Sequence, residues 1–319
     1  MQRSLELVAQ ELALVEARML EEDPRQHEVV TRAVVHLIRS GGKRIRPVTA
    51  LLTCQMLGAD CRLAVNLAAA VEMLHTATLV HDDIIDGSLI RRGNPTLNAT
   101  WSPGATILTG DYLFARAADL ASQTENVAVM RLFSQALMNI CNGELQQMFA
   151  TQHHAVDRES YLQRISAKTA SLFVLATEAA GVLAQVSPEI RVDLHQYGAE
   201  LGLAFQIVDD LLDFAGSEAQ VGKPLGSDLA QGLVTLPVIL FLEQSPGDQR
   251  ILAVLEGQRG AAPIRLAVDA IRDSGVVDRV REEAARHSQL ARQALENLPD
   301  NVCRQALIDL AEYTVHRSL

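Results

Sequence analysis

Two short acidic patterns are the most chemically distinctive features of this 319-residue sequence. The first lies in LVHDDIIDGSLIRRGNPT, where Asp82, Asp83 and Asp86 are followed at once by Arg91 and Arg92. On a helix, the three carboxylates would project from one side of a single turn. Like charges this close raise one another's pKa and destabilise the helix unless a cation lies among them. An isolated pattern of this kind is equally compatible with a solvated acidic helix end.

The same spacing recurs in FQIVDDLLDF as Asp209, Asp210 and Asp213, again inside an apolar helical run. A carboxylate triplet on each of two helices is what a chain needs to hold several divalent ions between them. Mg²⁺ prefers a few carboxylates, retained waters and substrate phosphates to a cage made only of protein. The repeated pattern therefore predicts magnesium ions bound by the triplets, with a substrate diphosphate as a further ligand of these ions.

Cationic residues cluster near both triplets. Lys223 follows the second triplet in a glycine-rich loop, and GGKRIRP supplies Lys43, Arg44 and Arg46. Guanidinium and ammonium groups bind phosphate oxygens directly. Taken alone, each cluster is typical of a basic surface turn. Together these cationic residues are numerous enough to bind two diphosphate groups, one through metal ions and one without metal.

The elements that must position these residues are helices. Apolar residues recur at steps of three and four in NLAAAVEMLHTATLVHDDIID, VMRLFSQALMNICNGELQQMF and RVREEAARHSQLARQALENL. We predict no strand ladder. Gly- and Pro-containing turns separate the helical segments, and no stretch resembles a linker. With 48% hydrophobic residues the chain can bury a large core, so we predict one all-α domain over residues 1–319.

Charge and composition exclude several classes of protein. A net charge of −11 argues against nucleic acid as a partner. The longest apolar run, LVTLPVILFL, is too short to span a membrane, and the N-terminus has no signal-peptide pattern. The cysteines show no paired spacing, which favours reduced thiols and a cytoplasmic protein. They are Cys54, Cys61, Cys141 and Cys303.

The motifs together resemble those of trans-isoprenyl diphosphate synthases, the polyprenyl synthetase family, most of all its long-chain octaprenyl, heptaprenyl and solanesyl types. The matching pieces span nearly the whole chain: GGKRIRP, EMLHTATLVHDDIIDGSLIRRGNPT, LTGDYLFARA, SAKTASLF, GLAFQIVDDLLDF and GKPLGSDLAQGLVTLP. The resemblance implies a single-domain helical bundle of the isoprenoid synthase type. In such a bundle the two Asp-rich helices face each other across a deep central cavity.

The resemblance also implies a role for each motif residue. Asp82 and Asp86 would bind two Mg²⁺ ions and Asp209 a third. Asp83, Asp210 and Asp213 would hold waters or orient the metal ligands. The residues implied to grip the allylic diphosphate are Arg91, Lys168 and Lys223. Those implied for isopentenyl diphosphate, bound without metal, are Lys43, Arg46, His75 and Arg92. Thr169 and Gln206 would line the allylic carbon.

The implied reaction joins isopentenyl diphosphate head to tail to an allylic diphosphate, farnesyl or geranylgeranyl diphosphate. Three Mg²⁺ ions and several cations would stabilise the departing pyrophosphate, so that the allylic bond ionises before the isopentenyl double bond attacks. The proton is then lost, with no dedicated protein base. We also expect a homodimer that has no membrane span and at most touches a membrane transiently to release its product.

Product length is predicted from the helix that precedes the first triplet. Short-chain members of the family block the path of the growing chain with a bulky aromatic residue four or five positions before the motif. Here those positions are Thr78 and Ala77, both small. Thr78, Leu74 and Val71 share roughly one face of the helix, and Ala77 flanks that face. We therefore predict an all-trans product longer than geranylgeranyl diphosphate, of the length used for quinone side chains.

Several alternatives stay open at this point. The chain could make a shorter product, or be a non-catalytic subunit of a heteromeric synthase. A class I terpene cyclase shares the fold but usually lacks the second DDxxD. Glu72 and His75 form one Glu-x-x-His pair, whereas a di-iron bundle needs two. Leu233 stands where many members of the family have a lysine, so it stays open whether this chain has an auxiliary cation near the second triplet.

Overall fold

The computed structural model describes residues 1–22, 26–91, 93–149, 157–216 and 224–317. Helices dominate this part of the chain, which confirms the predicted all-α class. The fold divides into two compact units. The first consists of Met1–Ala136, Leu172–Gly198 and Asn297–Asp309, and the second of Leu137–Ser171, Ala199–Glu296 and Leu310–Leu319. The single domain over residues 1–319 stays a prediction.

The elements follow one another along the chain with short connections. Up to residue 149 they are α1 Gln2–Leu7, α2 Ala9–Leu20, α3 Glu28–Arg39, α4 Ile45–Leu57, α5 Cys61–Ile85, β1 Ile90–Arg91, β2 Asn94–Pro95, α6 Leu97–Thr100, α7 Pro103–Ser122 and α8 Val127–Phe149. The next are α9 Arg158–Ile165, a π-helical turn Ser166–Ala170, α10 Ser171–Leu183 and α11 Pro188–Ala215. The last are α12 Ser227–Gln231, α13 Leu236–Gln244, α14 Gln249–Leu255, α15 Ala261–Asp273, α16 Val276–Ala294 and α17 Val302–His316.

Helix α5 is the central element of the first unit. It packs against α7, α4 and α2, and its middle turns are buried on every side. A helix that is apolar all round must be surrounded by protein or lipid. Helix α5 is long and apolar enough to cross a membrane, but 83% of its apolar stretch is buried inside the protein. It is therefore a core helix in this structure.

The C-terminal end of α5 follows directly from its sequence. Gly87 adopts a left-handed conformation with φ of 62°, which costs little for glycine. Its N–H donates to the Ile84 carbonyl (3.2 Å), and the Ser88 N–H donates to the Asp83 carbonyl (2.9 Å). These two bonds form a Schellman motif, which stops the helix and reverses the chain. The short antiparallel pair β1–β2 follows, a two-residue ladder that we did not predict.

The second unit has its own apolar core. Tyr161, Phe214 and Phe241 are almost fully buried in it, with aliphatic side chains of α13, α15 and α16 around them. The carboxyl end of α11 is capped by Arg272 of α15, which donates to the Phe214 carbonyl (2.5 Å) and the Gly216 carbonyl (2.9 Å). A cation is favourable at this end because the helix dipole is negative there.

Gly198 allows α10 and α11 to approach each other closely within the first unit. A Cβ atom at this position would lie 2.5 Å from Thr177 Oγ1 and 2.8 Å from the Phe173 carbonyl oxygen. We expect Gly198→Ala to lower the free energy of unfolding by about 1–3 kcal/mol, because backbone atoms cannot move aside. The measurement is urea denaturation. Gly104→Ala is the control, since no described atom lies within 4 Å of its Cβ position. Equal effects of the two substitutions would contradict the close approach.

Candidate active site

The first aspartate triplet lies at the end of α5, where the chain reverses. Arg91 Nε donates to Asp83 Oδ1 at 2.7 Å, so the arginine folds back onto the triplet that precedes it in sequence. Burial raises the pKa of Asp83, and the charge and hydrogen bond of Arg91 oppose this rise. Asp83 is thus a buried, paired carboxylate that helps to hold the reversal.

The other two members of this triplet remain accessible. Asp82 is half-buried and Asp86 is exposed. Both lie at the negative end of α5, whose last turn contains no basic residue. A cation bound to these carboxylates would neutralise both their charge and the helix dipole. Asp82 and Asp86 therefore offer accessible carboxylate oxygens at a helix end whose dipole favours a bound cation.

The GGKRIRP segment leads into α4, within the first unit. Arg46 Nη1 lies 3.3 Å from His75 Nε2, and the guanidinium carbon lies 4.9 Å from the centre of the Phe173 ring. Lys43 is exposed. The structure thus brings Arg46 and His75 together, as the resemblance implies for the isopentenyl diphosphate pocket. Arg92 lies outside the described residues.

Arg44 and Glu72 have a structural role. Arg44 Nη1 pairs with Glu72 Oε1 at 2.8 Å, and both side chains are about 90% buried. Arg44 Nη2 also donates to the Ile38 carbonyl (2.6 Å). Removing either partner would leave a buried charge unpaired. Glu72 is therefore committed to an ion pair, which argues against the di-iron alternative.

The second unit joins several predicted site residues in one hydrogen-bonded chain. Thr169 Oγ1 donates to Gln206 Oε1 (2.7 Å), and Gln206 Nε2 donates to Asp210 Oδ1 (2.7 Å). The Tyr161 hydroxyl donates to Asp210 Oδ2, also at 2.7 Å. Burial, to which the charge of Asp228 adds, raises the pKa of Asp210 to about 7, although the bonds from Gln206 and Tyr161 favour its charged form. The network fixes the orientation of the Gln206 amide.

Lys168 lies in the π-helical turn between α9 and α10. Such turns insert one extra residue into a helix and often occur at functional sites. Its ammonium group lies 2.6 Å from Glu144 Oε2 of α8, a carboxylate that is 89% buried. Glu144 was not among the predicted residues, because a glutamate in a long helix carries no local signal of its partner.

The three aspartates of the second triplet have three different partners. Asp209 is exposed and bonded through Oδ1 to Arg317 (2.5 Å). Asp210 belongs to the network above. Asp213 is buried, and its oxygens accept from the Ser227 hydroxyl (2.8 Å) and the Asp228 N–H (3.0 Å). Asp213 therefore holds the start of α12. Its implied role of holding waters or orienting the metal ligands stays a prediction.

The remaining predictions concern Lys223 and the chain-length face. Lys223 lies outside the described residues. Val71, Leu74 and Ala77 have 0% accessible surface, whereas Thr78 is half-buried and donates to the His75 carbonyl (2.7 Å). A side chain that lines an open channel has accessible surface. Of these four residues, only Thr78 meets that condition.

The accessible carboxylates fit Mg²⁺ better than a metal that needs a complete protein cage. In the described ranges, no group of three or more His, Cys, Asp or Glu side chains is arranged to hold a metal ion. Mg²⁺ usually takes one or two carboxylates and keeps waters and substrate oxygens as its other ligands. Asp82, Asp86 and Asp209 supply hard oxygen donors of this kind.

Comparisons with known proteins agree with the fold and the motifs. The polyprenyl synthetase family model matches residues 27–270. The chain is 38% identical over 314 residues to the all-trans-nonaprenyl-diphosphate synthase (geranyl-diphosphate specific) of Rhodobacter capsulatus, covering 97% of this chain and 96% of that protein. It is 35% identical to the octaprenyl diphosphate synthase of Escherichia coli K12, over 98% of this chain and 97% of that protein.

The chain is also similar to a solved structure, both in sequence and in fold. The polyprenyl synthase of Caulobacter crescentus CB15, complexed with calcium and isoprenyl diphosphate, superposes with a TM-score of 0.92 at 36% identity. The match covers 100% of this chain and 98% of that one. The fold and motifs define a prenyltransferase of the all-α class. The chain belongs to the polyprenyl synthetase family.

The structural role of Asp213 can be tested against Asp86, the third aspartate of the other triplet. We expect Asp213→Ala to lower the free energy of unfolding by about 1–3 kcal/mol, because it leaves half-buried donors at the start of α12 without their acceptor. Asp86→Ala removes an exposed carboxylate from a negative helix end, and we expect a change within about 0.5 kcal/mol. Chemical denaturation measures both. A fully stable Asp213→Ala variant would contradict the structural role.

Proposed function

We propose that this chain is a long-chain all-trans polyprenyl diphosphate synthase. It condenses isopentenyl diphosphate head to tail with an allylic diphosphate, farnesyl or geranylgeranyl diphosphate. The observation that carries the proposal is the repeated aspartate triplet near the C-terminal ends of α5 and α11, with accessible carboxylates at Asp82, Asp86 and Asp209. Carboxylates at a negative helix end favour cations, and cations favour a diphosphate.

The allylic diphosphate is held through charge. Asp82 and Asp86 of the first unit and Asp209 of the second would each hold Mg²⁺, which would supply positive charge to neutralise the departing pyrophosphate. Lys168 contributes an ammonium group that Glu144 holds in place through a 2.6 Å ion pair. Arg91 contributes a guanidinium group that Asp83 anchors through its Nε atom. Each cation is thus fixed by a buried carboxylate before substrate arrives, which reduces the ordering cost of binding.

Thr169 and Gln206 are proposed to line the reacting allylic carbons. The amide oxygen of Gln206 accepts a hydrogen bond from Thr169, and its amide nitrogen donates to Asp210. These two bonds hold the Gln206 amide group in one orientation. A fixed dipole beside a developing carbocation stabilises it without reorganisation during the reaction. No protein base is needed, since the released pyrophosphate can accept the proton.

Isopentenyl diphosphate is proposed to bind at Lys43, Arg46 and His75. Arg46 is held over the Phe173 ring and beside the His75 imidazole, which leaves a planar donor group in a defined orientation. Lys43 is exposed at the turn before α4. This site needs no metal, because the three side chains are themselves cationic or hydrogen-bonding.

We further propose that the enzyme is a cytoplasmic homodimer whose product serves as a quinone side chain. All four cysteines are free thiols, which supports a reducing compartment. Helix α7 exposes 42% of Ile107 and 69% of Leu108, and adjacent exposed apolar side chains support a contact with a second copy.

The activity test is magnesium-dependent release of pyrophosphate from isopentenyl and farnesyl diphosphate by the purified chain. We expect Asp82→Ala and Asp209→Ala each to lower the turnover rate about 100-fold or more, because charge neutralisation during ionisation is lost. Asp269→Ala, at an exposed aspartate of α15, is the control. Circular dichroism verifies folding. Release that requires a second, different subunit would support the heteromeric alternative, and wild-type rates in both variants would exclude these residues as metal ligands.

Product length is tested at Thr78, the accessible member of the proposed face. We expect Thr78→Phe to shorten the product by several isoprene units while turnover persists, because the ring blocks the path beyond the reacting carbons. Ala77→Phe is less informative, since Ala77 is fully buried and the larger side chain would overpack the core. Thr78→Val keeps the volume and serves as the control. Chromatography of dephosphorylated products measures the length, and an unchanged Thr78→Phe product would exclude this face.

A further inference from the structure

Arg317, which follows helix α17, lies against the second aspartate triplet. Its side chain is only 4% exposed. Nη2 donates to Asp209 Oδ1 (2.5 Å) and to the Phe205 carbonyl (2.7 Å). The guanidinium carbon lies 3.9 Å from the centre of the Phe205 ring. One side chain, 108 residues beyond Asp209 in sequence, therefore makes three contacts with little more than one turn of α11.

The two partners differ in exposure. Arg317 is buried, whereas 43% of the Asp209 side chain is accessible. The bond to Arg317 uses a single carboxylate oxygen, Oδ1. The carboxylate is thus anchored from the protein side and open on the solvent side. An accessible aspartate without such an anchor would sample several rotamers, and a metal ion would have to order it.

Two consequences of this contact are conceivable, and they predict opposite effects on metal binding. Arg317 could leave Asp209 when a metal arrives, or it could stay and orient the carboxylate. Departure would also cost the stacking on Phe205 and the bond to its carbonyl, and would leave a buried guanidinium without its counter-ion. The contacts with Phe205 therefore hold the arginine in place in addition to its bond with Asp209.

We propose that Arg317 is a positioning residue for the metal site at Asp209. It fixes the carboxylate through Oδ1 and presents the other oxygen to Mg²⁺. It also offsets the repulsion between Asp209 and the neighbouring Asp210. The inference rests on the proposed function, because it takes Asp209 as a metal ligand. Partners of ligating carboxylates typically change metal affinity 10- to 100-fold when they are removed.

The experiment measures metal binding without turnover. Mn²⁺ is the probe, titrated in the presence of inorganic pyrophosphate and followed by electron paramagnetic resonance of the free ion. We expect Arg317→Gln to weaken Mn²⁺ binding about 10- to 100-fold. Arg317→Lys restores part of this loss, because lysine keeps the charge but lacks the planar donor pair. Arg292→Gln, which breaks the half-exposed pair with Glu312, is the control and leaves Mn²⁺ affinity unchanged.

A second readout separates positioning from stability. The Mg²⁺ concentration for half-maximal rate should rise in Arg317→Gln much more than the rate at saturating Mg²⁺ falls. If Arg317→Gln does not fold, Arg317→Lys alone carries the test through its weaker Mn²⁺ binding. Unchanged or tighter Mn²⁺ binding in the folded variants, with or without a lower melting temperature, would overturn the proposal.

Asp209→Ala distinguishes this failure from that of the proposed function. If Asp209→Ala binds Mn²⁺ and turns over like the wild type, the assignment of Asp209 as a ligand fails, and the role of Arg317 with it. If Asp209→Ala loses Mn²⁺ while both Arg317 variants keep it, only the role of Arg317 is refuted.

Discussion

The negative end of a buried helix is an unfavourable place for carboxylates, and this structure depends on how that cost is met. Helices α5 and α11 each carry three aspartates near their C-terminal ends, with no basic residue in the last turn of either helix. The helix dipole and the mutual repulsion of the side chains both disfavour this arrangement. Cations must therefore come from elsewhere in the fold or from solution.

The protein satisfies part of this charge itself. Asp83 pairs with Arg91, and Asp213 accepts from the start of α12. Asp210 is buried and accepts hydrogen bonds from Gln206 and Tyr161, and burial raises its pKa to about 7. These three carboxylates thus stabilise the turns and networks around the site. Their burial separates them from the accessible ones, although the spacing of both triplets is the same.

The accessible carboxylates lie closer to solvent, and one of them, Asp209, pairs with Arg317. Asp82 is half-buried and Asp86 and Asp209 are exposed, so a hydrated divalent ion and a diphosphate can approach each of them. The cationic side chains proposed to bind substrate are also paired with carboxylates. Lys168 is paired with Glu144 and Arg91 with Asp83, so that each is held in one place by a buried acid. Such preorganisation is how a site stabilises charge that develops only during the reaction.

Much of this protein followed from its sequence alone. The helical periodicity, the repeated Asp spacing and the order of the motifs predicted an all-α prenyltransferase, and the comparisons confirmed that family. Positions within one helical turn are set by spacing, so the sequence could place the three aspartates of each triplet close together near the end of a helix. The resemblance implied that Thr169 and Gln206 line the same part of the site, and the structure shows a hydrogen bond between them that was not predicted.

Only the tertiary structure decided which residue of each triplet is buried and which is open. Asp86 and Asp213 are each the third aspartate of their triplet, yet packing leaves Asp86 exposed and buries Asp213. Long-range partners such as Arg317 for Asp209 depend on how distant helices pack, and no local pattern encodes them. The burial of Leu74 and Val71, on the face predicted to line the path of the product, has the same cause, because a helix has a fixed periodicity but its neighbours determine which face meets solvent.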